Sequence, residues 1–414
     1  MKRWIFILGR LPDLGIAEIF AVLGSLGIQH TSQRIEKHVL LVECADTVDI
    51  VGLHKRLGGT IKIGLMEQEY ALGLDVRIAL SEALRPDSIL RSFVKNKTGR
   101  WTFGISVYGG AHDADITQSI KDFGLDIKRY FKSRKRSARF VAARGRSMAL
   151  SSVVVRGNNL LGEAGAEILL IFGTSQLYRA VTVVVQDFAA YSDRDFSRPE
   201  RNPRGGSLPP KLAQTLLNLT GQKIGAKIFD PFCGIGTVLQ EGLLMGYRMS
   251  GSDSDTKQVD RSRANLDWIA GKYSLIAPKE IVASEAQAVR LKLHSIDAMV
   301  TEGVLGPPRS SLFDQRYAQT IALQIKDMWI HVLRHWKPLL VQNGVIVMAL
   351  PALKTAQGPV YVPLLDDLTR LGYRLDTLIP SRFIAGAMLT ERTTLVYDRP
   401  DQVVGREIIK LISL

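Results

Sequence analysis

The sequence predicts an α/β chain, with a C-terminal domain built on a mainly parallel sheet covered by helices and an α+β half in front of it. Three observations carry this. Strand and helix signals alternate from about residue 227 onward, a glycine turn joins the first of those strands to a helix, and residues 1–70 read as a small β-α-β-α-β unit.

In residues 1–70 the apolar runs Trp4–Leu8, His38–Val42 and Ile61–Met66 read as strands. Ile16–Leu26 and Val48–Leu57 read as helices, an order compatible with a ferredoxin-like unit. Residues 71–187 hold a helical stretch around Val76–Val94, a strand at Trp101–Tyr108, a helix from Ile116 into a basic run, and strands at Ile168–Phe172 and Ala180–Val185. Residues 188–210, with four prolines, two adjacent glycines and alternating charge at Asp193-Arg194-Asp195, read as a linker. From 211 to 414 the segments Lys227–Phe229, Val238–Met245, Arg248–Ser252, Thr256–Ala270, Ala298–Thr301, Tyr317–Trp336 and Gly344–Ala349 alternate strand and helix. That order implies a Rossmann-like sheet buried on both faces.

A chain of 414 residues is long enough for two or three domains, and its 46% apolar and 23% charged residues are ordinary for globular domains. No apolar run approaches the roughly eighteen residues that span a bilayer, and Arg10 and Asp13 cut short the Trp4–Leu8 run. Neither a membrane span nor a signal peptide is expected. Cys44 and Cys233 are too few for a disulfide framework or a cysteine zinc site, which fits a reducing, cytoplasmic setting. His331 and His335 stand four apart, but Val332 occupies the place where a helical zinc-protease motif needs Glu. Asp253 and Asp255 read as turn residues, and no metal is expected.

The net charge of +14 favours a polyanionic partner, because cations that neutralise phosphates release counterions. From Lys128 to Arg146 there are nine basic residues and no acidic one, among them Lys132, Arg134, Lys135, Arg136, Arg139 and Arg144. Such a run is either a solvated face or a nucleic-acid surface, and the interleaved Tyr130, Phe131 and Phe140 favour the second.

The strongest local signal is Ile228-Phe229-Asp230-Pro231-Phe232-Cys233-Gly234-Ile235-Gly236-Thr237, a strand that breaks into a glycine turn and opens a helix. Glycines serve where backbone approaches a ligand, and the helix N-terminus offers free N–H groups. Asp253, seventeen residues beyond Gly236 at the end of the next strand, is placed to accept both ribose hydroxyls of a nucleoside. The third glycine of a dinucleotide fingerprint is missing, and Asp230 heads the loop where it can meet an amine or a cationic ligand end.

Asp-Pro-Phe-Cys-Gly-x-Gly-Thr resembles the cofactor loop of THUMP-domain tRNA guanosine-N2 methyltransferases. The likeness continues upstream through Val183–Asp187, Tyr191–Asp195, Arg198-Pro199 and Leu208–Gln214, so that residues 150 to 350 follow the family in order and spacing. The resemblance implies S-adenosylmethionine as cofactor, tRNA as partner, and methylation of the exocyclic 2-amino group of a guanosine, at position ten. It implies a THUMP RNA-binding domain over 71–187, and a chain that works as a monomer; a small helper subunit stays open. By the same likeness Asp230, Gly234 and Gly236 line the methionine end of the cofactor and Asp253 holds its ribose, with Phe232 and Thr237 of the same loop also counted as cofactor-binding. Leu208 and Pro210 lie near its adenosine, and Glu285 near the adenine amino group.

The turn that orients the target amine departs from the family. Relatives carry Asp or Asn, then Pro-Pro and an aromatic residue, whereas the strand Ala298–Thr301 runs here into Glu302-Gly303-Val304-Leu305-Gly306-Pro307-Pro308. Glu302 can still accept a hydrogen bond, with Gly303 and Leu305 completing the turn. The missing aromatic removes a platform commonly worth about 1 to 3 kcal/mol per stacked base, which Phe313 or Tyr317 could supply from the next segment. Two other readings stay open: a tRNA-binding protein with a degenerate methyltransferase domain, and an adenine-N6 methyltransferase.

Overall fold

The structure is a computed structural model that describes residues 1–94, 99–110, 114–143, 148–201, 208–278 and 280–414. The chain divides into two compact units, Met1–Pro12, Ile28–Lys55 and Gly59–Phe188 in the first and Asp13–Gly27, Arg56–Gly58 and Ala189–Leu414 in the second.

The chain runs β1 (Lys2–Leu8), α1 (Pro12–Ser25), β2 (His30–Glu36), β3 (Val39–Cys44), α2 (Ile50–Arg56) and β4 (Thr60–Ala71). Then follow α3 (Val76–Ala83), α4 (Pro86–Val94), β5 (Trp101–Tyr108), α5 (Ala114–Ser133), β6 (Ala138–Val141), α6 (Ser152–Gly157), β7 (Gly165–Phe172) and β8 (Gln176–Val185). Among the described residues these strands form one eight-stranded sheet, ordered β2-β3-β1-β4-β8-β7-β5-β6. Its first four strands are mutually antiparallel, the ferredoxin-like pattern.

The expected boundary at residue 70 is not where the sheet ends. β4 pairs along its free edge with β8, so residues 1–70 and 71–187 share one sheet, and the backbone groups of that edge are satisfied. β2 escaped the sequence reading because His-Thr-Ser-Gln-Arg-Ile-Glu offers no apolar face; it is a partly exposed edge strand. The helical stretch expected around Val76–Val94 is made of two helices, since Pro86 lacks the N–H to continue α3 and instead opens α4.

The second unit's main elements follow: α7 (Phe188–Phe196), α8 (Pro210–Leu219), β9 (Lys227–Asp230), α9 (Thr237–Leu244), β10 (Arg248–Asp253), α10 (Thr256–Tyr273), β11 (Ile281–Ala283) and β12 (Ile296–Glu302). After these come α11 (Gln315–Trp336), β13 (Leu340–Thr355), β14 (Gly358–Tyr361), β15 (Tyr373–Asp376), α12 (Ser381–Ile384), β16 (Leu395–Tyr397) and β17 (Val404–Ser413). The sheet path is β11-β10-β9-β12-β13-β17-β15, parallel through β13 and antiparallel at β17. Phe229, Met299, Ile346 and Ile409 of four adjacent strands meet Trp329 and Trp336 of α11 in the core.

The expected linker is partly helical. α7 is held by Arg194, whose Nε donates to the buried Glu241 at 2.7 Å, and just beyond the helix Arg198 Nη1 donates to Thr237 Oγ1 at 2.8 Å. The connection after β9 leads to β10 on one side and that after β12 leads to β13 on the other, so the chain leaves these two adjacent strands in opposite directions and opens a crevice at their carboxyl ends.

Candidate active site

A cavity of about 350 Å³ occupies that crevice, lined by the strand ends Asp230, Asp253 and Glu302, by Leu208, and by Phe232, Gly234 and Thr237 of the glycine loop. Sequence reasoning named all of these, and the structure brings them together. Cys233, Ile235, Val238, Asp255 and Gln258 also line it and were not foreseen; their signal was adjacency to the loop and to Asp253.

The loop is held by short backbone ties. Gly234 and Gly236 have φ of +50° and +84°, the left-handed region, and a Cβ on Gly236 would come within 2.5 Å of Ser262 Oγ. Gly236 N–H donates to Cys233 O at 2.8 Å, and Cys233 N–H to Ser252 O of β10 at 2.9 Å. Asp253 accepts Gly234 N–H on Oδ2 at 2.9 Å and Asp255 N–H on Oδ1 at 3.0 Å, which orients its carboxylate at the cavity.

Asp230 is almost wholly buried, and its Oδ1 accepts from Phe232 N–H at 3.1 Å and Thr301 Oγ1 at 2.8 Å. Burial pushes its carboxyl up to about 7 against those two hydrogen bonds, with the nearby Asp253 and Glu302 adding to the rise. Glu302 is paired with the Nε of Arg406 from β17, a partner that no sequence motif announced. Burial raises the Glu302 carboxyl, and Arg406 opposes the rise.

Other candidate residues stand outside the cavity lining. Pro210 is buried as the first residue of α8. Glu285 is exposed beyond β11, where its carbonyl accepts Ala288 N–H at 2.9 Å; the short β11 ends at Ala283, two residues before it. Gly303 and Leu305 follow Glu302 in the turn without lining the cavity, because Gly303 backs onto Trp329. Phe313 is buried while Tyr317 is exposed, their rings stacked at 6.4 Å with Arg309 over both. His335 Nε2 contacts the carbonyl of Val289 at 2.8 Å.

The basic run lies in the first unit. Lys132, Arg134, Lys135 and Arg139 are exposed, Arg136 is half-buried, and Arg144 falls outside the described residues. The interleaved aromatics do not form a nucleic-acid platform: Phe131 is core, stacked on Trp101 at 4.9 Å, and Phe140 packs on Phe103 at 5.2 Å. The reason is β6, which carries Phe140 into the sheet. Tyr130 alone of the three lies under a cation, Arg134, at 5.3 Å.

Residues 198–355 match the UPF0020 family, described as an RMKL-like methyltransferase domain. The chain is 34% identical over 173 residues to the tRNA (guanine(10)-N2)-dimethyltransferase of Methanothermobacter thermautotrophicus, a stretch covering 41% of this chain and 47% of that protein. It is 30% identical over 125 residues to the enzyme of the same name from Methanocaldococcus jannaschii, covering 30% and 36%. The chain thus spans less than half the length of these two curated relatives. In fold it is similar to TrmN from Thermus thermophilus, with a TM-score of 0.58 at 14% identity over the whole of both chains. The stretch that matches this methyltransferase-domain model, residues 198–355, contains the glycine loop, Asp253 and Glu302 of the cavity.

Proposed function

We propose that the protein transfers a methyl group from S-adenosylmethionine to the exocyclic 2-amino group of a guanosine in tRNA, at position ten, in the cytoplasm. The observation that carries this is the convergence of Asp230, Asp253 and Glu302 on one cavity beside a glycine loop, at the sheet's switch point.

The residues fit such a cofactor. Asp253, already oriented by two backbone N–H groups, has the acceptor capacity left for ribose hydroxyls, and Asp230 offers a carboxylate to a cationic amino-acid end. Held by Asp230 and Asp253, S-adenosylmethionine would supply an activated methyl group, and the proton that the amine gives up would pass to the Glu302 carboxylate. What remains for the chain is positioning, the gain that near-attack alignment supplies. The Glu302 carboxylate, which lines the cavity, holds the amine and offsets its developing charge. The guanosine leaves its stack to enter, at a cost of a few kcal/mol. Exposed cations at Lys132, Arg134, Lys135 and Arg139 engage tRNA phosphates.

Nucleoside mass spectrometry of unmodified tRNA incubated with protein and S-adenosylmethionine tests this. N2-methylated guanosine at position ten is expected. A second reading, tRNA binding without transfer, is favoured by one feature: Gly303 and Val304 stand where the resembled family carries Pro-Pro, and Leu305 where it carries an aromatic residue. Unmodified tRNA despite measurable cofactor and tRNA binding would establish it, and methyladenosine would move the reaction to adenine N6.

A further inference from the structure

Glu302 and Arg406 reach each other through the register of the sheet. Glu302 pairs with Ala349 of β13, and Ala349 with Ile408 of β17. Arg406, paired with Pro351, stands two residues along and on the same face. Its side chain is 4% exposed and that of Glu302 15%. Arg406 Nη1 is anchored on Gln402 Oε1 at 3.1 Å, and its guanidinium lies 5.9 Å from the Tyr397 ring centre. Arg406 takes Oε1 of Glu302, and among the described residues no protein donor is recorded on Oε2.

We propose, resting on the transfer reaction above, that Arg406 is a positioning residue: its Nε fixes the Glu302 carboxylate, leaving Oε2 to accept the target amine. An unpaired carboxylate at this depth would take up a proton, losing the negative charge that makes it a strong acceptor for the amine. The groups around Glu302 make Arg406 the decisive one. Asp230 at the end of β9 is close enough for its charge and that of Glu302 to repel, Asp253 and Asp255 line the same cavity, and the β13 neighbours Ala349, Leu350 and Pro351 carry no titratable group.

The test is the pH dependence of the single-turnover methylation rate of full-length protein with tRNA and saturating S-adenosylmethionine. The rate should fall as pH drops through the Glu302 titration. In Arg406→Met that acidic limb should move up by about one pH unit or more and the neutral-pH rate should drop about tenfold, with both dissociation constants within about twofold. Arg406→Lys, which keeps the charge, should keep the limb near its parental position. Gln402→Ala, which only frees Nη1, should shift it slightly the same way, and serves if Arg406→Met does not fold. Parental and Arg406→Met or Gln402→Ala profiles that superpose, with the parent active, would overturn the role of Arg406 alone. A parent that transfers no methyl would overturn the functional reading and the positioning role together.

Discussion

A Cβ on Gly303 would lie 2.3 Å from Cζ2 of Trp329, so the indole occupies the space that any side chain at position 303 would need. The glycine at position 303 and the burial of Trp329 are therefore one packing solution. Trp329 in turn packs against Phe232 of the glycine loop at 5.4 Å, which links the turn after Glu302 to that loop.

Gly303→Ala should destabilise the second unit by about 1–3 kcal/mol, since a rigid ring must move. Trp329→Leu in the same chain should make the pair less destabilising than the sum of the two single changes. Urea unfolding of the four proteins measures this; strict additivity would separate the two sites.

Asp253→Ala should weaken S-adenosylmethionine binding by more than about tenfold, because it removes charge-assisted contacts to the ribose and frees Gly234 N–H. Calorimetry decides it. Equal affinity in variant and parent would take Asp253 out of the site.

Asp230 sets a pH dependence. With its folded carboxyl near 7 and an unfolded value of about 4, the folded protein holds a proton that the unfolded chain has lost between those limits. Stability should therefore fall as pH rises from about 4 to about 7, and Asp230→Asn should flatten that slope. Cofactor affinity should rise through the same window as the carboxylate forms, and Asp230→Asn should bind more weakly without the rise. A parental slope retained in the variant would assign the titration to another group.

Glu302→Ala should lower the single-turnover rate at saturating cofactor and tRNA while both dissociation constants move little. It also leaves Arg406 buried without its carboxylate, so a drop in melting temperature is expected alongside. A variant that melts lower yet transfers methyl at the parental rate would reduce Glu302 to a structural partner of Arg406.

Charge reversal at Lys132, Arg134, Lys135 and Arg139 should weaken tRNA binding and flatten its salt dependence while leaving cofactor affinity intact. Titrations at two salt concentrations test it. Equal slopes would return the run to a solvated surface.

The glycine loop, Asp253 and the strand–helix alternation around them were legible in the sequence because each is local: a strand must end, a turn must take positive φ, and a helix must begin within a few residues. Asp230, Gly234, Gly236, Thr237 and Asp253 could be named for that reason. Contacts between distant segments leave no such mark. That β4 pairs with β8, that Phe131 and Phe140 turn inward beneath the basic run, and that Arg406 meets Glu302 104 residues away depend on sheet register and burial. The sequence alone determined the cofactor loop and the alternating C-terminal fold. Only the tertiary structure decided the partner of Glu302 and the ring behind Gly303, since pairing across a sheet and the filling of space are properties of the packed chain.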